Sequence, residues 1–238
     1  MPLSRLSLIP GNDEDRLRAL SRYEIVGTAP EGLFDELTTL TAKLFGAPIA
    51  LVSLVAEGSV WLKAQFGLPG VRQVARTQSL CSVAVLHDEV TVFEDLQARP
   101  CALVEPQALQ ALNLQFYAGQ PLRTPEGFNI GALCVIDRKA RTFSADEQAL
   151  LQHLAATVML LLELRLAGLT QAQPASSREQ AQLTIPALIH SLTLLAEIGS
   201  TGSAVDAWGN AVATAAIHQE AGHLTGLLNR TLTEVLAG

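Results

Sequence analysis

The sequence predicts an α+β fold with an antiparallel sheet, followed by a helical hairpin that forms a dimeric four-helix bundle. Three observations lead to this prediction. Up to residue 167, apolar stripes of helical spacing enclose several strand-like runs, an order that suits an antiparallel sheet better than alternating parallel units. Residues 178–238 contain two heptad-spaced seams. Finally, only 16% of the 238 residues are charged, against about 25% in typical soluble domains. So few charged residues indicate an apolar surface that a second copy of the chain covers.

The first elements are a helix and a strand pair. The Thr28–Glu31 spacing is typical of a capping box, and the apolar stripe from Leu33 to Leu44 predicts the helix that follows it. Residues 47–56 are rich in Val, Ile and Leu and predict a buried strand. A turn at Glu57-Gly58 leads into a second strand over 59–65.

Three further strands and a long helix complete this part. Residues 90–93 predict a short strand, and residues 114–122 and 129–136 flank a type I turn to form a long hairpin. A second capping box, Ser144–Glu147, opens a helix that runs to about residue 166.

Composition excludes several classes of protein. A net charge of −7 argues against a nucleic-acid-binding surface, and three cysteines without a CxxC pair make neither a disulfide framework nor a zinc site. No apolar signal segment opens the chain, and the longest nearly uncharged apolar run, 154–162, is about half of the roughly 20 residues that a membrane span needs. We therefore expect a cytoplasmic protein without metal, nucleic-acid or membrane partners.

Charged residues are unevenly distributed along the sequence, and this distribution indicates two structural units. The 71 residues from Gly168 onward carry seven charged side chains, and the remaining charges lie before them. The small, polar and Pro residues of 168–177 break the helical pattern. We expect one domain over 1–167, a linker over 168–177 and a second domain over 178–238.

The first unit resembles the GAF domains of bacterial sensor proteins over about residues 15–167. The resemblance lies in residues 116–122 and 127–137, with Trp61-Leu62-Lys63-Ala64 and Ser79-Leu80-Cys81 upstream. It implies a six-stranded antiparallel sheet with flanking helices and a small-molecule pocket. Asp137-Arg138, Phe143 and Asp146-Glu147 resemble a degenerate cyclic-nucleotide signature, in which an Arg138–Asp146 ion pair could hold the last helix. The departures from that signature argue against cyclic-nucleotide binding.

The resemblance also implies residues that bound the ligand pocket. Its apolar wall would comprise Trp61, Cys81, Phe116, Tyr117 and Cys134, with Arg76 and Asp95 as polar anchors. Strand alternation prevents Phe116 and Tyr117 from facing the same side of the sheet. Core packing explains each aromatic residue at least as well as ligand contact does, and surface ion pairs explain Arg76 and Asp95 equally well. The ligand is unidentified, and no cofactor is expected.

The second unit predicts a helical hairpin that pairs with another copy of the chain. Two such helices cannot enclose a core, so a homodimer is the expected solution. The predicted interface comprises Leu188, Leu192 and Leu195 of the first helix and Ile217, Ala221, Leu224, Leu228 and Val235 of the second.

The hairpin resembles the dimerisation and phosphotransfer domain of histidine kinases, in residues 181–186 and 220–229. The phosphoacceptor position of the resemblance holds Ala181, which has no nucleophilic group. We therefore expect a signalling sensor or adaptor that is not an enzyme and whose partners include a histidine kinase or response regulator. A degenerate relative or fragment of a sensor histidine kinase is one alternative. A GAF-type thiol enzyme similar to free methionine sulfoxide reductases, with Cys81 and Cys101 as the reacting thiols, is another. A third is a structural dimeriser whose pocket is filled by side chains.

Overall fold

The computed structural model describes residues 7–170, 185, 187, 189–194, 196 and 207–237. The helices are α1 (Asp13–Ser21), α2 (Gly32–Leu44), α3 (Cys81–Ala84), α4 (Pro106–Ala111), α5 (Ala145–Thr170) and α6 (Ala207–Ala237). The strands are β1 (Ile49–Val55), β2 (Ser59–Phe66), β3 (Gln73–Ala75), β4 (Thr91–Phe93), β5 (Phe116–Arg123) and β6 (Asn129–Asp137). A short 3-10 turn, Arg76–Gln78, links β3 to the segment before α3, and the described residues between 185 and 196 are helical.

The six strands form one antiparallel sheet in the order β3-β2-β1-β6-β5-β4, which confirms the predicted α+β class and strand number. The centre of the sheet is apolar on both faces, because every residue of β1 is buried and only the last residue of β6 is partly exposed. Such continuous apolar strands form when both faces of a sheet are covered.

Each face of the sheet has its own apolar core. On one face, Phe116 and Ala118 of β5 join the core that contains α2 and α5. On the other face, Tyr117 of β5 and Cys134 of β6 pack with α3 and the loops around it. The prediction that Phe116 and Tyr117 face opposite sides is therefore confirmed.

Helix α6 runs parallel to α5 and packs along it. Near the start of α5, the rings of Phe143 and His218 both contact Phe45. Further along, Thr157 Oγ1 donates a hydrogen bond to Asn229 Oδ1 over 2.7 Å, and Asn229 Nδ2 donates to the His153 carbonyl oxygen. The two helices therefore start at the same end of the pair and remain side by side.

The described residues of the predicted dimer seam belong to the core of a single chain. Ala221, Leu228 and Val235 of α6 and Leu192 of the preceding helical residues are buried there, and Ile217 and Leu224 are half-buried against the same core. Ala181, Leu188 and Leu195 lie outside the described residues. Helix α5 extends to Thr170, so it includes the first three residues of the predicted linker.

One predicted capping box is confirmed and the other is wrong. The Ser144 N–H donates to Glu147 Oε2, and the Glu147 N–H donates to Ser144 Oγ, which is the reciprocal arrangement at the start of α5. In the described structure, Glu31 instead precedes α2 without a side-chain cap, because its carboxylate pairs with Lys63.

The predicted ion pair at the start of α5 also differs from the one observed. Arg141 Nη2 pairs with Glu147 over 2.7 Å, and Arg141 Nη1 donates to the Phe45 carbonyl oxygen. In the described part of the chain, this pair takes the place of the expected Arg138–Asp146 contact, because the loop before α5 brings Arg141 over the Phe116 ring.

Within the described residues, one helical segment, Ala145–Gly168, has the length and hydropathy of a membrane span. Half of its most apolar window is buried inside the protein, where Leu150, Leu154 and Val158 pack in the core. The apolar run over 154–162 is too short to reveal this property by itself, because His153 and Glu163 bound it and the longer helical segment includes such polar residues.

Candidate functional site

Three of the seven predicted pocket residues meet on the α3 face of the sheet. Cys81 is the first residue of α3, Tyr117 lies on β5, and Cys134 lies opposite Gly119 in the neighbouring strand β6. The Sγ atoms of Cys81 and Cys134 are 3.7 Å apart, and no more than 1% of either residue is exposed. Because short side chains from α3 and β6 point into the same space, two thiols become direct neighbours.

The Tyr117 side chain lies over its own strand, above Gly119. A Cβ atom at position 119 would be 2.2 Å from the Tyr117 hydroxyl oxygen, so only glycine leaves room for the phenol. The hydroxyl group is buried, has no hydrogen-bond partner in the described structure, and lies close enough to interact electrostatically with both thiols. The phenol therefore brings an unpaired polar group to the cysteine pair.

The two thiols have different acidities. Interaction with Cys134 lowers the pKa of Cys81 to about 6, although burial opposes this shift. Burial, together with the interaction with Cys81, raises the pKa of Cys134 well above its usual range. The directions of the two shifts make Cys81 the more acidic thiol of the pair.

Side chains of the protein fill the space around this pair. Leu51, Leu80, Val83, Leu96 and Ile136 are among the buried residues of the same core. A ligand on this face would have to displace these side chains, so the three predicted pocket residues are core residues in this conformation.

The remaining aromatic candidates lie elsewhere. Phe116 is on the opposite face of the sheet, where its ring centroid is 5.6 Å from that of Phe143. Trp61 is half-buried on β2, and β1 separates its strand from β6. Neither residue is brought to the cysteine pair.

The two predicted polar anchors have internal partners. Arg76 is buried and forms two hydrogen bonds with the Asp13 carboxylate, at 3.0 and 3.1 Å. Asp95 Oδ1 accepts hydrogen bonds from the backbone N–H groups of Gln97 and Ala98 and so stabilises its own turn. Asp95 also lines an open cleft of about 500 Å³ beside Phe143.

A charged network that the sequence did not predict joins the sheet to the last part of α5. Lys63 of β2 has a fully buried side chain, and its Nζ donates to Thr28 Oγ1, the Ala29 carbonyl oxygen and Glu31 Oε1, over 2.9, 2.8 and 2.6 Å. The same Glu31 oxygen accepts a 3.0 Å hydrogen bond from Arg165 Nε of α5. A lysine in the middle of an apolar strand was the available signal, because a buried ammonium group requires acceptors.

A second contact reinforces this connection. Arg165 Nη1 donates to the Tyr23 carbonyl oxygen over 2.7 Å, and the Tyr23 hydroxyl group donates to Glu163. Both contacts join α5 to the segment between α1 and α2. We call Tyr23, Glu31, Lys63, Glu163 and Arg165 the α5 network.

Comparison with known proteins identifies a relative that is named as an enzyme. The chain is 33% identical over 151 residues to a cyclic di-GMP phosphodiesterase of Pseudomonas aeruginosa. The match covers 63% of this chain and 26% of the relative, so the chain spans about a quarter of the relative's length. This relationship overturns the prediction that the protein is not an enzyme, a prediction that rested on the missing phosphoacceptor at Ala181.

Solved structures with a similar fold include domains of two bacterial proteins. The blue-light absorbing form of the PixJ GAF domain from Thermosynechococcus elongatus has a TM-score of 0.49 and 16% identity, with coverage of 66% of this chain and 92% of that one. A domain of a two-component sensor histidine kinase protein from Sinorhizobium meliloti 1021 has a TM-score of 0.48 and 16% identity, with coverage of 62% and 100%.

A family model supplies the assignment. The GAF domain model matches residues 29–162, more than half of the chain. This range begins just before α2 and ends within α5, so it contains all six strands of the sheet. The predicted resemblance is thereby confirmed for this region, and the chain belongs to the GAF domain family.

Proposed function

We propose that this GAF domain senses a small molecule or a partner protein and controls the output of a cyclic di-GMP phosphodiesterase. The sensory and signalling role follows from the family, and the proposed output comes from the Pseudomonas relative. The observation that carries the proposal is the α5 network, because it connects a strand of the sensor sheet, through the Glu31 carboxylate, to a long helix that packs against α6.

Helix α5 is suited to transmit a change in the domain. Its first turn is fixed by the Ser144–Glu147 capping box, and its middle is buried against the sheet. Its later part depends on Glu31 and Tyr23, which belong to a connecting segment outside the sheet. A shift of that segment would therefore move the later part of α5 while its start remains fixed.

Transmission requires a difference in binding between two conformations. A signal molecule that binds one arrangement of the α5 network more tightly shifts the population towards that arrangement. Couplings of this kind are typically worth about 1–3 kcal/mol, or about 5- to 150-fold in affinity. The proposal therefore predicts a graded change in phosphodiesterase activity.

Assembly into a homodimer remains part of the proposal. The exposed apolar residues Leu194 and Leu227 lie in the C-terminal helical region and supply surface for a second copy. A cytoplasmic location and a histidine kinase or response regulator as a further partner likewise remain expectations from the sequence.

A chimera tests the proposed output. In the Pseudomonas relative, the segment that aligns with this chain is replaced by the aligned residues of this chain, and cyclic di-GMP hydrolysis is measured by chromatography. We expect an active chimera in which Glu31→Gln, which weakens the α5 network, changes the rate by about fivefold or more. Glu36→Gln, an exposed change in the helix that follows Glu31, should leave the rate unchanged.

Two outcomes would contradict this function. An active chimera whose rate is unchanged by the Glu31→Gln substitution would exclude control through the α5 network. A folded chimera that does not hydrolyse cyclic di-GMP would exclude this chain as the control part of a phosphodiesterase.

A further inference from the structure

We propose that Cys81 and Cys134 are a redox-reactive dithiol that a peroxide converts to an intramolecular disulfide. The inference concerns a modification site on the α3 face of the sheet. It rests on the arrangement of the two thiols and does not depend on the proposed control of a phosphodiesterase.

The distance between the sulfur atoms is the first argument. The Sγ atoms are 3.7 Å apart, and a disulfide requires about 2.05 Å, so they must approach by only about 1.7 Å. The two sulfur atoms are therefore already in contact in the reduced protein. Cys101, although buried in the same core, is not the sulfur that contacts Cys81.

The elements that carry the two cysteines make this approach feasible. Cys134 lies on β6, whose backbone is paired with β1 on one side and β5 on the other. Cys81 begins α3, a helix of four residues that follows a three-residue 3-10 turn. A small displacement of α3 would close the gap, while the sheet keeps its register.

The chemical environment assigns different roles to the two thiols. The thiolate is the reactive form of cysteine, and Cys81 is the more acidic member of the pair. The buried Tyr117 hydroxyl group has no hydrogen-bond partner among the described residues, and it is placed to donate a hydrogen bond to a thiolate that forms beside it. Cys81 lies on the short helix α3, which must move for peroxide to enter, whereas Cys134 is held in a strand that is paired on both sides. This placement and the greater acidity of Cys81 make Cys81 the attacking thiol and Cys134 the resolving thiol.

Hydrogen peroxide accounts for every atom and electron of the reaction. The Cys81 thiolate attacks one peroxide oxygen, the O–O bond breaks, and the released hydroxide takes up a proton to form water. The resulting sulfenic acid is attacked by Cys134, which loses its proton as the S–O bond breaks and a second water leaves. Two thiols are oxidised, one peroxide is reduced, and one disulfide forms.

Burial determines how fast this reaction proceeds. Neither cysteine is exposed, so the peroxide reaches the pair only when α3 moves away from the sheet. Local opening of this kind is common in short elements with few backbone contacts. We therefore expect oxidation of the folded protein to be slower than oxidation of an unfolded control, and the product to be specific to one pair.

Mass spectrometry of the full chain tests the proposal. The reduced protein is treated with hydrogen peroxide at neutral pH, unfolded in an alkylating reagent and digested. We expect a peptide pair joined through Cys81 and Cys134, alkylated Cys101, and loss of the cross-link after treatment with dithiothreitol. Cys101→Ser is the matched control and should form the same cross-link, whereas Cys81→Ser should not.

The wild-type result alone can overturn the inference, so it does not depend on how well the variants fold. Three alkylated cysteines after exposure to peroxide would exclude a reactive pair. A cross-link through Cys101, or conversion of Cys81 to sulfinic acid without a cross-link, would show that Cys134 does not act as the resolving thiol.

Discussion

The Asp13 carboxylate is shared by two buried guanidinium groups. Its Oδ1 accepts a 2.7 Å hydrogen bond from Arg16 Nε, and its two oxygens accept hydrogen bonds from Arg76. Arg16 also donates to the Val55 carbonyl oxygen of β1. These contacts attach α1 and the turn after β3 to the central part of the sheet.

Asp13→Asn should destabilise the fold strongly, because it leaves two buried cations without a counter-charge. We expect the free energy of unfolding in urea to fall by about 3–5 kcal/mol, as for other buried pairs that lose one partner. Asp15→Asn removes an exposed pair with Arg18 on the same helix and should cost less than about 1 kcal/mol. Equal effects of the two substitutions would contradict the structural role of Asp13.

The effect of Asp13→Asn should also depend on pH. Burial raises the pKa of Asp13, but hydrogen bonds from Arg76 and Arg16 outweigh it and hold the pKa below the ordinary value of 3.8. The carboxylate therefore stabilises the fold fully above pH 3.8, and this contribution disappears as pH falls through the lower, folded-state pKa. The difference between wild type and variant should shrink in that acidic range.

Individual partners could be predicted from the sequence only when they were close in the chain. The Ser144–Glu147 contact lies within one helical turn and was predicted correctly. The partner of Arg76 is 63 positions away, so its pairing with Asp13 depends on the tertiary fold. The resemblance placed Cys81 and Cys134 in the same pocket wall, but the direct contact of their sulfur atoms was not predicted, since the two residues are 53 positions apart.

Among the helices and strands, helix α5 is notable because different kinds of contact stabilise its two ends. Its start has a local capping box, and its later turns depend on contacts with residues more than a hundred positions earlier in the chain. The C-terminal end of α5 is therefore stabilised by tertiary contacts, and these contacts can change without unfolding the helix.

Arg165→Gln should loosen the later turns of α5 selectively. The change removes a guanidinium that bonds to Glu31 and to the Tyr23 carbonyl oxygen, and charge-assisted hydrogen bonds are each worth about 1.5–3 kcal/mol. We expect hydrogen exchange of the amides near residue 165 to accelerate by roughly tenfold or more. Exchange near residue 150 should stay unchanged.

Arg138→Gln is the control for this experiment. Arg138 is exposed and was predicted to pair with Asp146, whereas the observed pair at that end is Arg141–Glu147. Exchange in both parts of α5 should match wild type. Faster exchange at the start of α5 would show that Arg138 contributes to the helix start after all.

The positions of most elements could be read from the sequence, because periodicity is a local property. The stripe of Leu33 to Leu44 and the Val-rich run over 47–56 correspond to α2 and β1. The three-residue strand β3 was missed, whereas β4, which is equally short, was predicted. Gln73–Ala75 contains one β-branched side chain, but the run over 90–93 consists of Val, Thr, Val and Phe, which favour strands.

For the whole molecule, the placement of α6 is the main departure from the sequence interpretation. Its apolar seam covers α5 and the core of the same chain. A heptad pattern shows that a helix has one narrow apolar face, but it does not show which surface covers that face. The pattern alone could not distinguish a second copy of the chain from the chain's own α5.

Substitution of Leu228 distinguishes these two arrangements. Leu228→Ala should lower the free energy of unfolding by about 2–5 kcal/mol, because Leu228 is fully buried within one chain. The loss should be the same at low and high protein concentration. Leu227→Ala, at a neighbouring position that is 45% exposed, should have little effect on the unfolding of the isolated chain.

A loss that grows as the protein is diluted would instead place Leu228 between two copies. Native mass spectrometry of both variants completes the comparison, because Leu227 belongs to the surface that remains available for a dimer. An effect of Leu227→Ala on copy number without an effect on stability would support a dimer formed through the exposed face of α6.

The phenol of Tyr117 above Gly119 has a consequence for how this domain can diversify. One aromatic ring occupies the volume beside the cysteine pair, and the hydrogen atom at position 119 is what permits it. Replacement of Tyr117 by a small residue would leave an internal cavity where the ring now packs, while the strand register of β5 and β6 stays the same. A single substitution at position 117 could thus create or remove a binding cavity in related domains, without any change in the pairing of the strands around it.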